Sequence, residues 1–160
     1  MIRALLTGFA FLVAACSAEV VQEEGPPPLY KYSNMKAAVA SGQETLPVFW
    51  DALESDNAAQ SNFMLLVVTP SQRYTEEYVW VENVTEILTG YRGTVPEEHE
   101  MQDGFKGGDT IDFIAGDIAD WRYKEDGKYR GAFSTRAMMD IVPNAEIDNI
   151  KALFHDEPLP

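Results

Sequence analysis

One cysteine, two histidines and twelve basic residues against twenty-six acidic ones define what this 160-residue chain has little of. A lone thiol excludes an intramolecular disulfide, so stability must come from a buried core, which a chain of this length can build. His99 and His155 lie far apart with no HExxH pattern, which leaves zinc without a ligand set, and neither sits near a Gly-x-Ser-x-Gly nucleophile. The segment Gly104-Phe105-Lys106-Gly107-Gly108 lacks the spacing of a phosphate-binding loop. A net charge of −14 excludes binding along a nucleic-acid backbone, which requires a basic face. What is present is apolar material: 46% of residues are hydrophobic, enough for one soluble globular domain.

The chain opens on Met1-Ile2-Arg3 and an apolar run of 12 residues from Ala4 to Ala15. About 20 apolar residues are needed to span a bilayer as a helix, so the run reads as a secretory signal. Val13-Ala14-Ala15-Cys16 is an aliphatic residue, two small ones and a cysteine, and resembles the bacterial lipoprotein signal-peptidase site. That resemblance implies cleavage before Cys16 and lipidation of its thiol, with the membrane as first partner. Ser17, rather than Asp, implies the periplasmic face of the outer membrane. An ordinary cleavage near Ala15 or Ala18 is the alternative. Cleavage before Cys16 removes Arg3 and takes the net charge from −14 to −15. Residues 16–29 then form an acidic, proline-ended tether carrying Glu19, Glu23, Glu24 and Pro26-Pro27-Pro28. Residues 30–160 form a single domain.

Apolar spacing, interrupted at Gly42 and Pro47, predicts either one kinked helix with Asn34 as N-cap or two short ones, Met35 to Ser41 and Thr45 to Glu54. Phe63 to Thr69 is apolar on both faces, as a central strand is; Glu76 to Glu82, Ile87 to Val95, Thr110 to Ile114, Ile118 to Lys124 and Lys128 to Phe133 follow as strands. Ser134 or Thr135 caps a short helix through Met139, and Asn144 a last one through Phe154. Pro96 to Gly108 reads as an exposed acidic loop. The expected fold is α+β: a curved antiparallel sheet of five or six strands, an N-terminal helical segment packed on it, and a C-terminal helix.

Trp121 to Arg136 holds five basic residues and two acidic ones, a local reversal of the chain's charge. A three-residue Glu125-Asp126-Gly127 loop would pair Tyr123 with Tyr129, placing Trp121, Tyr123 and Tyr129 on one face and Arg122, Lys124, Lys128 and Arg130 on the other. A two-residue Asp126-Gly127 turn would pair Tyr123 with Arg130 and mix the faces. The first register is preferred because it buries the aromatics together. The cations then form either a solubilising face or a basic ribbon for an anionic envelope ligand or an acidic protein patch.

Gly108-Asp109-x-Ile111, Ile118-x-Asp120-Trp121-x-Tyr123 and Gly127-Lys128-x-x-Gly131-x-Phe133-Ser134-x-Arg136 together resemble the YegJ-like bacterial domain of unknown function. Trp80 and the Gly90 to Pro96 segment fit its middle strands, and the likeness covers Met35 to Phe154. The chain departs from that family at Gly93-Thr94-Val95-Pro96, where a polar, Asn-containing link is usual. The resemblance implies an α+β fold and a secreted or envelope setting; it implies no activity and supplies no catalytic residue.

Asp109, Asp112, Asp117 and Asp120 recur through two predicted strands, but alternation sends Asp109 and Asp112 to opposite faces and no calcium loop is present, so neither metal nor cofactor is expected. Asp120, beside Trp121, is the candidate for a buried carboxylate, with Arg136 as its partner. Asp120, Trp121, Arg136 and Trp80 are candidate binding residues around an apolar cavity. The function expected is that of a lipid-anchored, non-enzymatic binding domain. The alternatives are an inhibitor or immunity-type protein capping a basic envelope enzyme, and a hydrolase that pairs Asp120 with a second carboxylate.

Overall fold

The computed structural model describes residues 33–70, 76–98, 105–141 and 147–160. The expected signal sequence with Cys16, the expected tether, His99 and Asn144 lie outside the described residues. Helix α1 (Ser33–Glu44) is followed at once by α2 (Leu46–Glu54). Pro47 stands in the first turn of α2, where its missing N–H costs no helical hydrogen bond. Thr45 closes α1 by donating from its N–H and Oγ to the Ser41 carbonyl at 3.0 and 2.6 Å. Two short helices therefore form in place of one, and α1 runs three residues beyond the expected Ser41.

Strands β1 (Gln60–Pro70), β2 (Glu76–Ile87), β3 (Gly90–Thr94), β4 (Thr110–Phe113), β5 (Ile118–Glu125) and β6 (Lys128–Gly131) form one antiparallel sheet in the order β4-β3-β2-β1-β5-β6. The expected α+β class and the upper strand count hold. Ile87 belongs to the end of β2, because a two-residue turn at Leu88-Thr89 starts the third strand only at Gly90. Helix α3 (Phe133–Ile141) follows β6, and a short α4 (Ile147–Lys151) precedes the C-terminal segment.

β1 is the central strand, and Met64, Leu65, Leu66 and Val67 are all buried. Leu65 and Val67 face Val81 and Val79 across β2, and with Phe49 of α2, Ile111, Phe113, Ile118, Trp121 and Tyr123 they make the main core. Phe63 stacks on Tyr123 at 5.1 Å, and Tyr123 on Trp121 at 5.7 Å. Met64 and Leu66 point to the opposite face, across from Arg122, Trp80 and Asp120.

The hairpin takes the two-residue turn. Asp126 (φ 49°) and Gly127 (φ 80°) are both left-handed, as a type I′ turn needs, and the pairs are Tyr123 with Arg130 and Lys124 with Tyr129. The preferred three-residue register is thus overturned: Tyr129 stands with Arg122 and Lys124, and Arg130 stands with Tyr123. The turn whose twist matches the strands prevails because each displaced side chain finds other partners.

The free side of β6 is covered. Tyr129 N–H donates to the Leu153 carbonyl at 2.8 Å, His155 N–H to the Tyr129 carbonyl at 3.1 Å, and Gly131 N–H to the Pro158 carbonyl at 2.7 Å. The segment after α4 therefore occupies an edge that would otherwise expose unpaired backbone.

Candidate functional site

Asp120 lies at an irregularity in β5, where Leu66 pairs with Asp120 and Val67 with Ile118. It is wholly buried. Oδ2 accepts from the Ser134 N–H at 2.7 Å and from the Ser134 Oγ–H at 2.6 Å, while Oδ1 accepts from the Trp121 N–H at 2.8 Å. The carboxylate thus receives the first turn of α3, where unpaired N–H groups and the helix dipole favour negative charge. Burial nevertheless raises its pKa, and the bonds from Ser134, Trp121 and Phe133 only partly offset that cost.

Arg136 bonds elsewhere. Its Nε donates to the Gly131 carbonyl at 2.9 Å, and its Nη2 to the carbonyls of His155 at 2.9 Å and Tyr129 at 3.4 Å. Its role is to fasten the C-terminal segment to β6, and the expected Asp120–Arg136 pair does not form, because helix α3 supplies donors closer to the carboxylate. Trp121 is wholly buried, with its indole N–H donated to Thr45 Oγ at 3.0 Å. Trp80 and Trp121 pair with Leu66 and Leu65, neighbours on one strand, so they lie on opposite faces of the sheet and share no cavity.

The outer face assembles something the strand pattern did not announce. The Arg122 guanidinium lies 4.3 Å from the Trp80 ring centre and 5.1 Å from that of Tyr129, and the Lys124 ammonium lies 5.0 Å from Tyr129. Tyr129 meets Phe154 at 5.5 Å, and Arg136 lies 5.1 Å over Phe154. Rings and cations thus form a row from β2 across β5 and β6 to the C-terminal segment and α3, with the adjacent rings Tyr129 and Phe154 between Arg122 and Arg136. Each such contact is worth about 0.5–2 kcal/mol, more as it is desolvated. Met64 backs the row, its sulfur 3.1 Å from Arg122 Nη2. Burial lowers the Arg122 pKa; Tyr129 and Asp120 act against that shift.

Of the four hairpin cations, Arg122 and Lys124 belong to this row. Lys128 is exposed at the turn. Arg130 is held on the other side by Glu125 at 2.9 Å and by the carbonyls of Glu157 and Leu159 at 3.1 and 2.8 Å. Among the described residues no carboxylate is ion-paired to Arg122, Lys124 or Arg136, whereas Arg92 and Arg130 have Asp112 and Glu125. Sequence reasoning missed Tyr129 and Phe154 as members. The Asp126-Gly127 dipeptide, which favours a two-residue turn, is the signal that places Tyr129 beside Lys124.

The described residues hold no group of three or more His, Cys, Asp or Glu arranged to hold a metal ion. His155 Nε2 lies 2.9 Å from the Glu125 carbonyl, which can only accept, so Nε2 carries the hydrogen and is engaged in holding the fold. No helix among the described residues is long and apolar enough to cross a membrane.

Fold and outer face together define a small α+β domain: an open six-stranded antiparallel sheet with an aromatic and cationic row on the face away from its main core. Residues 32–154 match the family described as an uncharacterized protein conserved in bacteria (DUF2314), and the chain belongs to that family. No curated protein and no solved structure matches the chain.

Proposed function

We propose that this bacterial domain is a non-enzymatic binding module of the cell envelope. Cys16 lipidation holds it on the periplasmic face of the outer membrane, and Trp80, Arg122, Lys124 and Tyr129 receive an anionic partner. The YegJ-like likeness of its motifs agrees with an envelope setting. One observation carries the binding reading: in a chain of net charge −14, two half-buried cations lie against aromatic rings without a carboxylate counter-ion among the described residues. A guanidinium between rings is pre-ordered and partly desolvated, so an incoming phosphate or carboxylate gains charge-assisted hydrogen bonds at little ordering cost. Against the hydrolase alternative stands Asp120, whose oxygens are engaged by Ser134 and Trp121 away from solvent.

Binding to immobilised lipopolysaccharide, a phosphate-bearing envelope surface, tests the reading. Arg122→Gln with Lys124→Gln should weaken it at least about tenfold and flatten its salt dependence, with circular dichroism unchanged. Unchanged binding would reject the site. A salt-sensitive complex with a basic envelope enzyme that is indifferent to these substitutions would favour the inhibitor reading instead. For the anchor, palmitate should label the full chain in cells and be lost in Cys16→Ser; label retained in that variant overturns the localisation.

A further inference from the structure

A cleft of about 250 Å³ opens between α3 and the segment after α4, walled by Arg136, Met139, Lys151, Phe154, His155 and Asp156. Among the described residues no ion pair joins its charged groups, although Asp156 attracts Arg136 through space. The bonds of Arg136 go to neutral carbonyls, and neither Lys151 nor Asp156 forms an ion pair or side-chain hydrogen bond among the described residues. Among the described residues, two cations and one carboxylate therefore face one small space without an ion pair. A simple anion would meet Asp156, and a simple cation would meet Arg136 and Lys151. A molecule carrying both charges satisfies all three. Phe154 and Met139 add an apolar wall, and the volume lies below the roughly 300–1,000 Å³ of drug-sized sites, so the ligand is small.

We infer that this cleft binds an apolar α-amino acid as its zwitterion. The carboxylate lies against Arg136 and Lys151, the ammonium against Asp156, and the side chain against Phe154 and Met139. The assignment goes beyond the outer-face reading and does not rest on it: Arg136 and Phe154 end the aromatic and cationic row, but Lys151 and Asp156 are not members of it, and none of the four is among the residues proposed to receive the anionic partner.

Isothermal calorimetry of the full chain in detergent, with leucine, methionine and phenylalanine as probes, tests the inference. 4-Methylpentanoate and 3-methylbutylamine are leucine with one charged group removed. At least one amino acid should bind, and for leucine each half-ligand should bind at least about tenfold more weakly. Lys151→Ala and Asp156→Asn, whose exposed side chains make no hydrogen bond among the described residues, should each weaken binding by a similar factor. These variants spare the lipopolysaccharide contact, so the two sites fail separately. Absence of binding by all three amino acids overturns the inference. So does 4-methylpentanoate binding as tightly as leucine, or wild-type affinity in both variants.

Discussion

Asp120 shows how one side chain can be indispensable without being accessible. Asp120→Ala would leave the Ser134 N–H, the Ser134 hydroxyl and the Trp121 N–H without their acceptor in a buried place, at a cost of about 3 kcal/mol, read as a lowered urea midpoint. The pH dependence has a definite sign. Burial raises the folded-state pKa above the ordinary 3.8, so the folded chain holds this proton more tightly than the unfolded one. Its contribution to stability is therefore full below the unfolded value and is lost as pH rises through the folded value. Carbon-detected NMR should show the Asp120 carboxyl titrating above the usual aspartate range, and Asp120→Asn should remove that part of the stability slope. The burial of Asp120 was legible from its place beside Trp121. Its partner was not, since choosing Ser134 over Arg136 depends on the chain turning sharply into α3 after Gly131.

That turn belongs to the scale of elements. Gly131 (φ 66°) and Ala132 (φ 55°) are consecutive left-handed residues, and a Cβ on Gly131 would overlap the Trp121 carbonyl oxygen and come within 2.5 Å of the indole ring. Gly131→Ala should lower stability by about 2 kcal/mol or more in denaturant titration, through backbone strain and collision with a fixed core ring. The same hairpin marks where sequence reasoning stopped. Hydrophobic pattern was enough for the existence of the strands, for the buried faces of β1 and for a break between the first two helices, which falls at Thr45, but it started the third strand three residues early, at Ile87. It misjudged the register because aromatic burial was weighed only against the main core. Tyr129 instead finds Arg122, Lys124 and Phe154 on the outer face, and Arg130 finds Glu125 and the C-terminal carbonyls. Those partners lie up to 29 residues away, beyond any local pattern.

For the whole molecule, the charge ratio read at the outset describes the surface but not its organisation. Acidic residues outnumber basic ones 26 to 12, yet the cations at Arg122, Lys124 and Arg136 lie against rings in one continuous row instead of in ion pairs. Acidic surroundings repel anions at long range, so binding at the row should strengthen as salt screens that repulsion and weaken again as salt screens the contact itself. The most direct test of the account is nitrogen-resolved NMR of the wild-type chain during titration with lipopolysaccharide in micelles. The account predicts that the largest shifts fall on the Trp80 indole N–H, the Arg122 Nε–H and the amides of Lys124 and Tyr129, with Trp121 unmoved. Shifts centred elsewhere, with those four signals unchanged at saturation, would contradict it.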